Sequence, residues 1–182
     1  MLNKLTLIFC CVIAPFLSFA QRNDYLKIDS LKMQLAVSNP DTSIIKINLD
    51  LSRAFSSLGI TKYDSSLLYL NQALQLSQEL KYDKWLYEIY NENSQLLNSS
   101  GNFSIALEYY YKMLKLLDQE DADGGNGLAL KNKYASLYTQ IGLCYFSMEK
   151  QEKALEYYKK ALEKTTEPAA SILIKRKISS LG

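Results

Sequence analysis

The chain has 182 residues, with 21 Lys and Arg against 19 Asp and Glu and no histidine. The absence of histidine excludes His-based nucleophilic catalysis and histidine metal ligation, and the near-balance of charge gives no electrostatic argument for a nucleic-acid or anionic-membrane partner. Glycine and proline are scarce, at 7 and 3 residues, and 14 tyrosines are present, which favours a mostly helical chain with large packed side chains.

The first 20 residues have the pattern of a secretory signal peptide. Lys4 supplies a positive start, residues 5–19 are almost entirely apolar, and Ser18 and Ala20 place small residues at the two cleavage-recognition positions. The apolar run of about 15 residues is short for a membrane span of roughly 20, and Pro15 interrupts it as a helix. We therefore expect cleavage after Ala20 and export to the periplasm or the extracellular space. An anchor formed by an uncleaved N-terminal segment is the alternative.

Cleavage would change the charge and cysteine counts of the chain only slightly. The loss of Lys4 leaves 20 basic residues against 19 acidic ones, and the loss of Cys10 and Cys11 leaves Cys144 alone. No internal disulfide is then possible, although export normally permits disulfides. A mature chain of about 160 residues is long enough to be stabilised by its own core. No other apolar stretch approaches spanning length, so we expect no membrane span in the mature chain.

Apolar residues at helical spacing continue through nearly the whole mature chain and predict an all-α fold. Pro40 breaks the chain after the first helix, Asp41 is a good N-cap for the second, and Gly59 is a residue type that ends helices. Asp121–Gly127 reads as a polar loop, and Pro168 suits the first turn of the last helix. The expected helices are Asp24–Val37, about Asp41–Leu58, Leu67–Leu80 with a start near Asp64, Asp83–Leu97, Ser104–Gln119, Leu128–Ser147, Glu152–Lys164 and Pro168–Leu181.

Three segments of the chain can be aligned with one another: Tyr63–Leu76, Phe103–Leu116 and Gln151–Lys164. Small residues align at Ser66, Ala106 and Ala154, leucines at Leu67, Leu107 and Leu155 and again at Leu74, Leu114 and Leu162, and tyrosines at Tyr69, Tyr109 and Tyr157. Recurrence at roughly 40 residues is the signature of a stacked repeat protein. Such proteins form extended binding surfaces rather than deep catalytic pockets.

The last copy has small and aromatic residues at fixed places on two successive helices. Helix A carries Tyr138, Ile141, Gly142 and Tyr145, helix B carries Ala154, Tyr158 and Ala161, and Pro168 follows. This pattern closely resembles the tetratricopeptide repeat, a helix–turn–helix unit of about 34 residues. We expect the two helices to cross closely at Gly142 and Ala154, which have little or no side chain. Tyr145 and Tyr158 are then expected to fill the space on either side.

Two earlier copies match the repeat less well. In the second copy, the matching residues are Gly101, Phe103, Ala106 and Tyr110, while Ser94 replaces a glycine and Met113 an alanine. In the first copy, the matching residues are Phe55, Gly59 and Ala73, and Ser66 replaces an alanine. The resemblance covers about Asp41–Gly182 and implies a right-handed α-solenoid of antiparallel helix pairs. The units are longer than the family mean and are similar to those of exported bacterial signalling proteins, in which repeats precede a kinase or a DNA-binding part.

The predicted organisation is a signal peptide (1–20), an N-terminal flanking helix (21–40) and a repeat array (41–182). Within the array we expect units at about 41–80, 83–119 and 128–165, followed by a terminal helix at 168–181. Ile178–Gly182 resembles helix A of a fourth unit, because Gly182 follows Gly142 by 40 residues. Two interpretations remain open. The last helix is a cap that covers the final apolar face, or it begins an incomplete repeat of a longer protein.

No residue suggests catalysis, a cofactor or a metal. Cys144 lies inside a helix without an evident cationic neighbour, so core packing is favoured over reactivity. The polar loop from Asp121 lacks the Gly and Glu that a calcium loop needs at its sixth and twelfth positions, which leaves a flexible linker as the simpler interpretation. The run Tyr109–Tyr111 is better explained by repeat packing than by base stacking, because no basic groove accompanies it.

The resemblance also implies where a partner binds, since helix A residues line the concave face in this family. By position these residues are Lys46, Asp50 and Arg53 in the first unit, Glu88, Asn91, Glu92, Gln95 and Asn98 in the second, and Thr139, Gln140, Leu143 and Phe146 in the third. The best-known ligand of the family is a peptide carboxylate held by Lys, Arg and Asn. Thr139 and Leu143 occupy the corresponding third-unit positions, so that clamp is not built here.

We therefore expect a non-catalytic interaction module that binds a protein or peptide in its concave groove, with no nucleic-acid partner. The alternative is the sensory input region, complete or truncated, of a bacterial signal-transduction protein of the histidine-kinase or helix-turn-helix type. For each predicted binding residue, simple solvent exposure is an equally good explanation.

Overall fold

The computed structural model describes residues 22–38, 41–59, 62–124 and 127–181, so the predicted signal peptide lies outside the described residues. Within these ranges all regular structure is helical and there is no strand, which confirms the all-α prediction. The helices are α1 (22–37), α2 (Thr42–Ser57), α3 (Tyr63–Glu79), α4 (Leu86–Ser99), α5 (Phe103–Ala122), α6 (Leu128–Ser147), α7 (Gln151–Lys164) and α8 (Pro168–Ser179), and a short 3-10 turn, Asp83–Trp85, precedes α4.

The chain divides into two compact units, the first ending at Ile89 and the second beginning at Tyr90. This division falls within α4, whose first turn belongs to the first unit and whose remainder belongs to the second. The first unit therefore contains α1, α2 and α3, and the second contains α5, α6, α7 and α8.

Local chemistry explains where several helices begin and end. The backbone N–H of Ser43 donates to Asp41 Oδ1 at 2.7 Å, which caps α2 and lowers the pKa of the Asp41 carboxyl. After α2 the chain turns at Gly59 with a φ of 93°, a left-handed conformation that favours glycine. Pro168 occupies the first turn of α8, where its missing N–H costs no hydrogen bond.

The prediction of a loop at Asp121–Gly127 was wrong at its start, because α5 continues to Ala122. Two contacts with α6 hold the last turns of α5 in place. The Tyr134 hydroxyl donates to Asp118 Oδ1 at 2.7 Å, and Lys133 Nζ lies 2.9 Å from a carboxylate oxygen of Glu120. These contacts join residues far apart in sequence, so helical periodicity within α5 alone could not indicate them.

The first unit has a core formed by α1, α2 and α3. Ile28 and Leu31 of α1 pack with buried Leu51 and Phe55 of α2. The Phe55 ring stacks on Tyr69 of α3 with centroids 5.5 Å apart, and Tyr69 packs against the same core. Aromatic pairs in this offset geometry contribute about 0.5–1.5 kcal/mol beyond the area that they bury.

A pair of serines joins α2 and α3 at the helix crossing of the first unit. Ser52 and Ser66 are buried, and their hydroxyl oxygens lie 2.8 Å apart. Ser66 also donates to the backbone carbonyl of Ser52 at 3.0 Å. Both hydroxyls therefore have partners, which removes the penalty of about 1–3 kcal/mol for a buried polar group left unpaired.

In the second unit the matching crossing, between α6 and α7, has no hydroxyl. Gly142 and Ala154 are buried at the positions of Ser52 and Ser66. A Cβ placed on Gly142 would lie 2.6 Å from Cε1 and 2.7 Å from Cδ1 of the Tyr158 ring, and Tyr158 is buried. The expected close approach at Gly142 is thus confirmed, with the ring of Tyr158 as the surface that meets it.

Replacing Gly142 with alanine should therefore destabilise the protein, although alanine favours helix by about 1 kcal/mol over glycine. The added methyl group overlaps a buried ring, and overpacking of this kind typically costs about 1–3 kcal/mol. Urea unfolding followed by circular dichroism should show a lower midpoint for Gly142→Ala. In a Tyr158→Leu background the same substitution should cost less, because the overlapping ring is gone. An equal loss in both backgrounds would contradict the contact.

Candidate functional site

The second unit has an open groove of about 420 Å³ between α6, α8 and the connection that precedes α8. Its lining combines small, polar and aliphatic side chains. The lining residues are Asn132, Ala135, Ser136, Thr139, Gln140, Thr165, Glu167, Ala170, Leu173, Ile174 and Lys177. A volume of this size falls within the range of ligand-binding clefts, about 300–1,000 Å³.

One wall of the groove is a single face of α6. Asn132, Ser136 and Thr139 are spaced by four and three residues, so they lie one above another on the helix. Leu137 and Ile141 are buried in the core of the unit. The Thr139 hydroxyl donates to the carbonyl of Ala135, its own helix, at 2.8 Å.

The other wall is α8, which is held in the unit by one buried residue. Ile174 is buried, whereas the neighbouring Leu173 is 58% exposed and contributes an apolar surface to the groove. Lys177 lies one turn further on, with its Nζ 6.0 Å from the centroid of the Tyr158 ring. Leu173 and Lys177 are four residues apart and share a side of the helix.

Asn132 connects the two walls. Its Oδ1 accepts a hydrogen bond from the Thr166 hydroxyl at 2.9 Å and a longer one from the Thr166 backbone N–H at 3.4 Å. Its Nδ2 donates to Glu167 Oε1 at 3.2 Å. These bonds fasten the extended segment before α8 to α6, and they therefore help to position α8 beside the groove.

The groove contains no pairing of a nucleophile with a base. Its only charged residues are Glu167, which accepts from Asn132, and Lys177. Among residues 22–38, 41–59, 62–124 and 127–181, no three His, Cys, Asp or Glu side chains gather as metal ligands. In the same part of the chain no helix has the length and apolar character required to span a membrane.

The first-unit residues of the predicted binding set form a cluster of charges on α2. Lys46 Nζ lies 2.7 Å from Asp50 Oδ2, and Arg53 Nη1 lies 3.7 Å from Asp50 Oδ1. Lys46 and Asp50 also border a shallow depression of about 400 Å³ between α1 and α2. Exposed ion pairs contribute about 0–1 kcal/mol to stability, so these pairs add little to the stability of the fold.

The predicted residues of α4 differ in how they are held. Glu88 belongs to the first unit and is half-buried, while Gln95 in the second unit is exposed. The thiol of Cys144 in α6 donates to Asn98 Oδ1 at 3.4 Å, so the Asn98 amide has a structural partner. The remaining α4 residues of the set are the half-buried Asn91 and Glu92.

Of the predicted residues on α6, Thr139 and Gln140 both line the groove. Leu143 is half-buried and Phe146 is 46% exposed, one and two turns further along the helix. Asn132 and Ser136 were missed because the repeat pattern begins at Tyr138. Their spacing of seven and three residues from Thr139 places them on the same helix face, a signal that the length of α6 made available.

The tyrosines of the second unit form a connected cluster rather than an open stacking surface. The rings of Tyr138 and Tyr145 lie 6.1 and 5.5 Å from Tyr157, and the Tyr111 hydroxyl lies 2.9 Å from that of Tyr145 and 3.0 Å from that of Tyr157. Lys160 Nζ lies 4.7 Å from the Tyr157 centroid. The rings are used in packing against one another, as repeat packing predicts.

Burial raises the pKa of several acidic side chains in this unit. It raises the pKa of the Cys144 thiol to about 11 and those of the Tyr110 and Tyr158 hydroxyls to about 12. Burial, followed by the hydrogen bonds that the Tyr111 hydroxyl shares with those of Tyr145 and Tyr157, also raises the pKa of Tyr111. A thiol that is buried and protonated at neutral pH is a poor nucleophile.

These pKa values predict that stability falls at alkaline pH. The unfolded chain releases the Cys144 proton near 9.0 and tyrosine protons near 10.0, whereas the folded chain holds them to about 11 and 12. Between these values the folded state binds more protons, so the free energy of unfolding decreases as pH rises from about 9 to 12. Urea titrations at pH 8, 9.5 and 11 should show this decrease, and Cys144→Ala should lessen its first part. A flat profile would contradict the burial.

Comparisons with known proteins agree with this geometry. Residues 135–164 match the tetratricopeptide repeat. Among 14 solved protein chains that match, one titled "MamA RS-1 ArsTM double mutant" is 14% identical, with a TM-score of 0.57 over 87% of this chain and 84% of that chain. A likeness at this identity shows a shared fold. The search of curated proteins finds no match.

Proposed function

We propose that the protein is a non-catalytic protein–protein interaction module, because residues 135–164 match the tetratricopeptide repeat and lie within an all-α fold of packed helices. Its partner is a protein or peptide segment, and the groove between α6 and α8 is one place where that segment binds. The observation that carries this proposal is the exposed Leu173 beside Thr139 and Gln140 in a groove of about 420 Å³.

The lining of the groove suits an extended peptide. Ala135 and Ala170 have small side chains that allow a backbone to approach closely, and Leu173 offers an apolar contact. The Ser136 hydroxyl and the Gln140 amide can both donate and accept hydrogen bonds. A few polar groups among apolar ones provide orientation and specificity in such sites.

The same residues argue against catalysis. The chain has no histidine to act as a base, and burial keeps the Cys144 thiol protonated with a pKa of about 11. The lone carboxylate of the groove, Glu167, already accepts a hydrogen bond from Asn132. General acid–base catalysis requires a base positioned within reach of the group that gives up its proton, and the groove lining pairs no base with a nucleophile.

The binding proposal is testable with peptides selected from a random displayed library on the full chain. Changing Leu173 to serine should weaken the selected peptides about tenfold, which corresponds to about 1.4 kcal/mol of lost apolar contact. Gln140→Ala should also weaken peptide binding, because the hydrogen bonds of the amide are lost. Fluorescence anisotropy with labelled peptide measures both effects.

Leu68→Ser provides the matched control, because Leu68 on α3 is similarly exposed at 53% and lies in the first unit. Circular dichroism melting of each variant separates lost binding from lost folding. Equal affinity of Leu173→Ser and Leu68→Ser would reject the groove as the binding site.

We also propose that the protein is exported and cleaved after Ala20. The support is the sequence pattern alone, with its apolar run and the small residues Ser18 and Ala20. The N-terminus of protein recovered from the extracytoplasmic fraction should then be Gln21. A chain that retains Met1, or one found only in the cytoplasm, would contradict export with cleavage.

A further inference from the structure

Charge is distributed unevenly over the helices that form the groove. The walls α6 and α8 contain five basic residues, Lys131, Lys133, Lys175, Arg176 and Lys177, and no acidic residue. The rest of the chain carries the other 16 basic residues and all 19 acidic ones. These two helices are therefore basic in a chain whose overall charge is nearly balanced, and of their five cations Lys177 lines the groove itself.

Most of these cations are not neutralised locally. Lys133 pairs with Glu120 of α5 at 2.9 Å, and the Lys177 ammonium lies over the Tyr158 ring. Lys131, Lys175 and Arg176 are exposed to solvent, and the uncharged Asn132 is half-buried. The single acidic residue of the lining, Glu167, stands on the connection before α8 and accepts from Asn132.

The position of two cations relative to the apolar surface narrows the kind of partner. Arg176 and Lys177 follow Leu173 by three and four residues, so they flank it one turn along α8. A partner that seats an apolar side chain against Leu173 would bring its next residues near both cations. Acidic side chains there would gain a favourable interaction, and basic ones would be repelled.

From this arrangement we propose that the segment bound in the α6–α8 groove is acidic and apolar, with carboxylate side chains next to an apolar anchor. The proposal rests on the groove binding proposed above and identifies its partner class. The carboxylates belong to side chains, so a free peptide C-terminus is not required. The cations of the last turn also complement the dipole of α8, and a role in helix stability alone would leave binding unchanged when they are neutralised.

The test begins with the library of random peptides, selected for binding to the full chain. Each peptide is inserted within a displayed protein, so that it presents no free C-terminus. We expect enrichment of Asp and Glu beside Leu, Ile or Phe. For a labelled selected peptide, Arg176→Gln with Lys177→Gln should lower affinity about five- to tenfold, and raised salt should lower it in the same direction. The control pair is Lys115→Gln with Lys159→Gln, which removes two exposed charges outside the groove lining.

The outcomes distinguish the partner class from groove binding itself. If the selected peptides are neutral or basic and Leu173→Ser weakens their binding, the proposal of an acidic partner is wrong and the proposal of groove binding stands. Equal effects of the two double variants would overturn it as well, because charge would then act at a distance rather than at α8. Peptides that bind equally to Leu173→Ser would overturn both proposals. Melting curves of both double variants should differ little from those of the parent.

Discussion

The close crossing of two helices within a repeat is the constraint on which the packing of this protein depends. At this crossing the chain uses either no side chain, as at Gly142, or a pair of small hydroxyls, as at Ser52 and Ser66. The two solutions share the use of small residues where one helix faces the other. The glycine solution needs the buried Tyr158 ring to fill the space, whereas the serine solution fills it with a hydrogen bond.

The large rings around each crossing follow from the same constraint. Phe55 with Tyr69 and Tyr145 with Tyr157 stack with the same centroid separation, 5.5 Å, in the first and second units. Small residues allow the two helices to approach at the crossing, and the aromatic pairs pack beside it. Burial of two other tyrosine hydroxyls, those of Tyr110 and Tyr158, raises their pKa and so links the stability of the fold to alkaline pH.

Features that depend on local order could be predicted from the sequence, and those that depend on distant partners could not. The N-cap at Asp41 and the close approach at Gly142 follow from residue type and spacing. The extension of α5 to Ala122 could not be predicted, because contacts with α6 stabilise those turns. Likewise the repeat pattern placed Thr139 and Gln140 on one helix, while the other wall of the groove, with Leu173, required knowledge of where α8 packs.

The core and the groove use different faces of α6, and this separation allows the exposed surfaces of α6 and α8 to be basic. Ile141 and Cys144 are buried in the core, while Ser136 and Gln140 face the groove. The core residues stabilise the fold without charge, so the exposed faces are free to lack acidic residues at little cost to folding. Exposed cations separated by water repel weakly at physiological salt, whereas an acidic segment that excluded that water would be attracted to them. A stable fold and a basic exposed surface are therefore compatible on the same two helices.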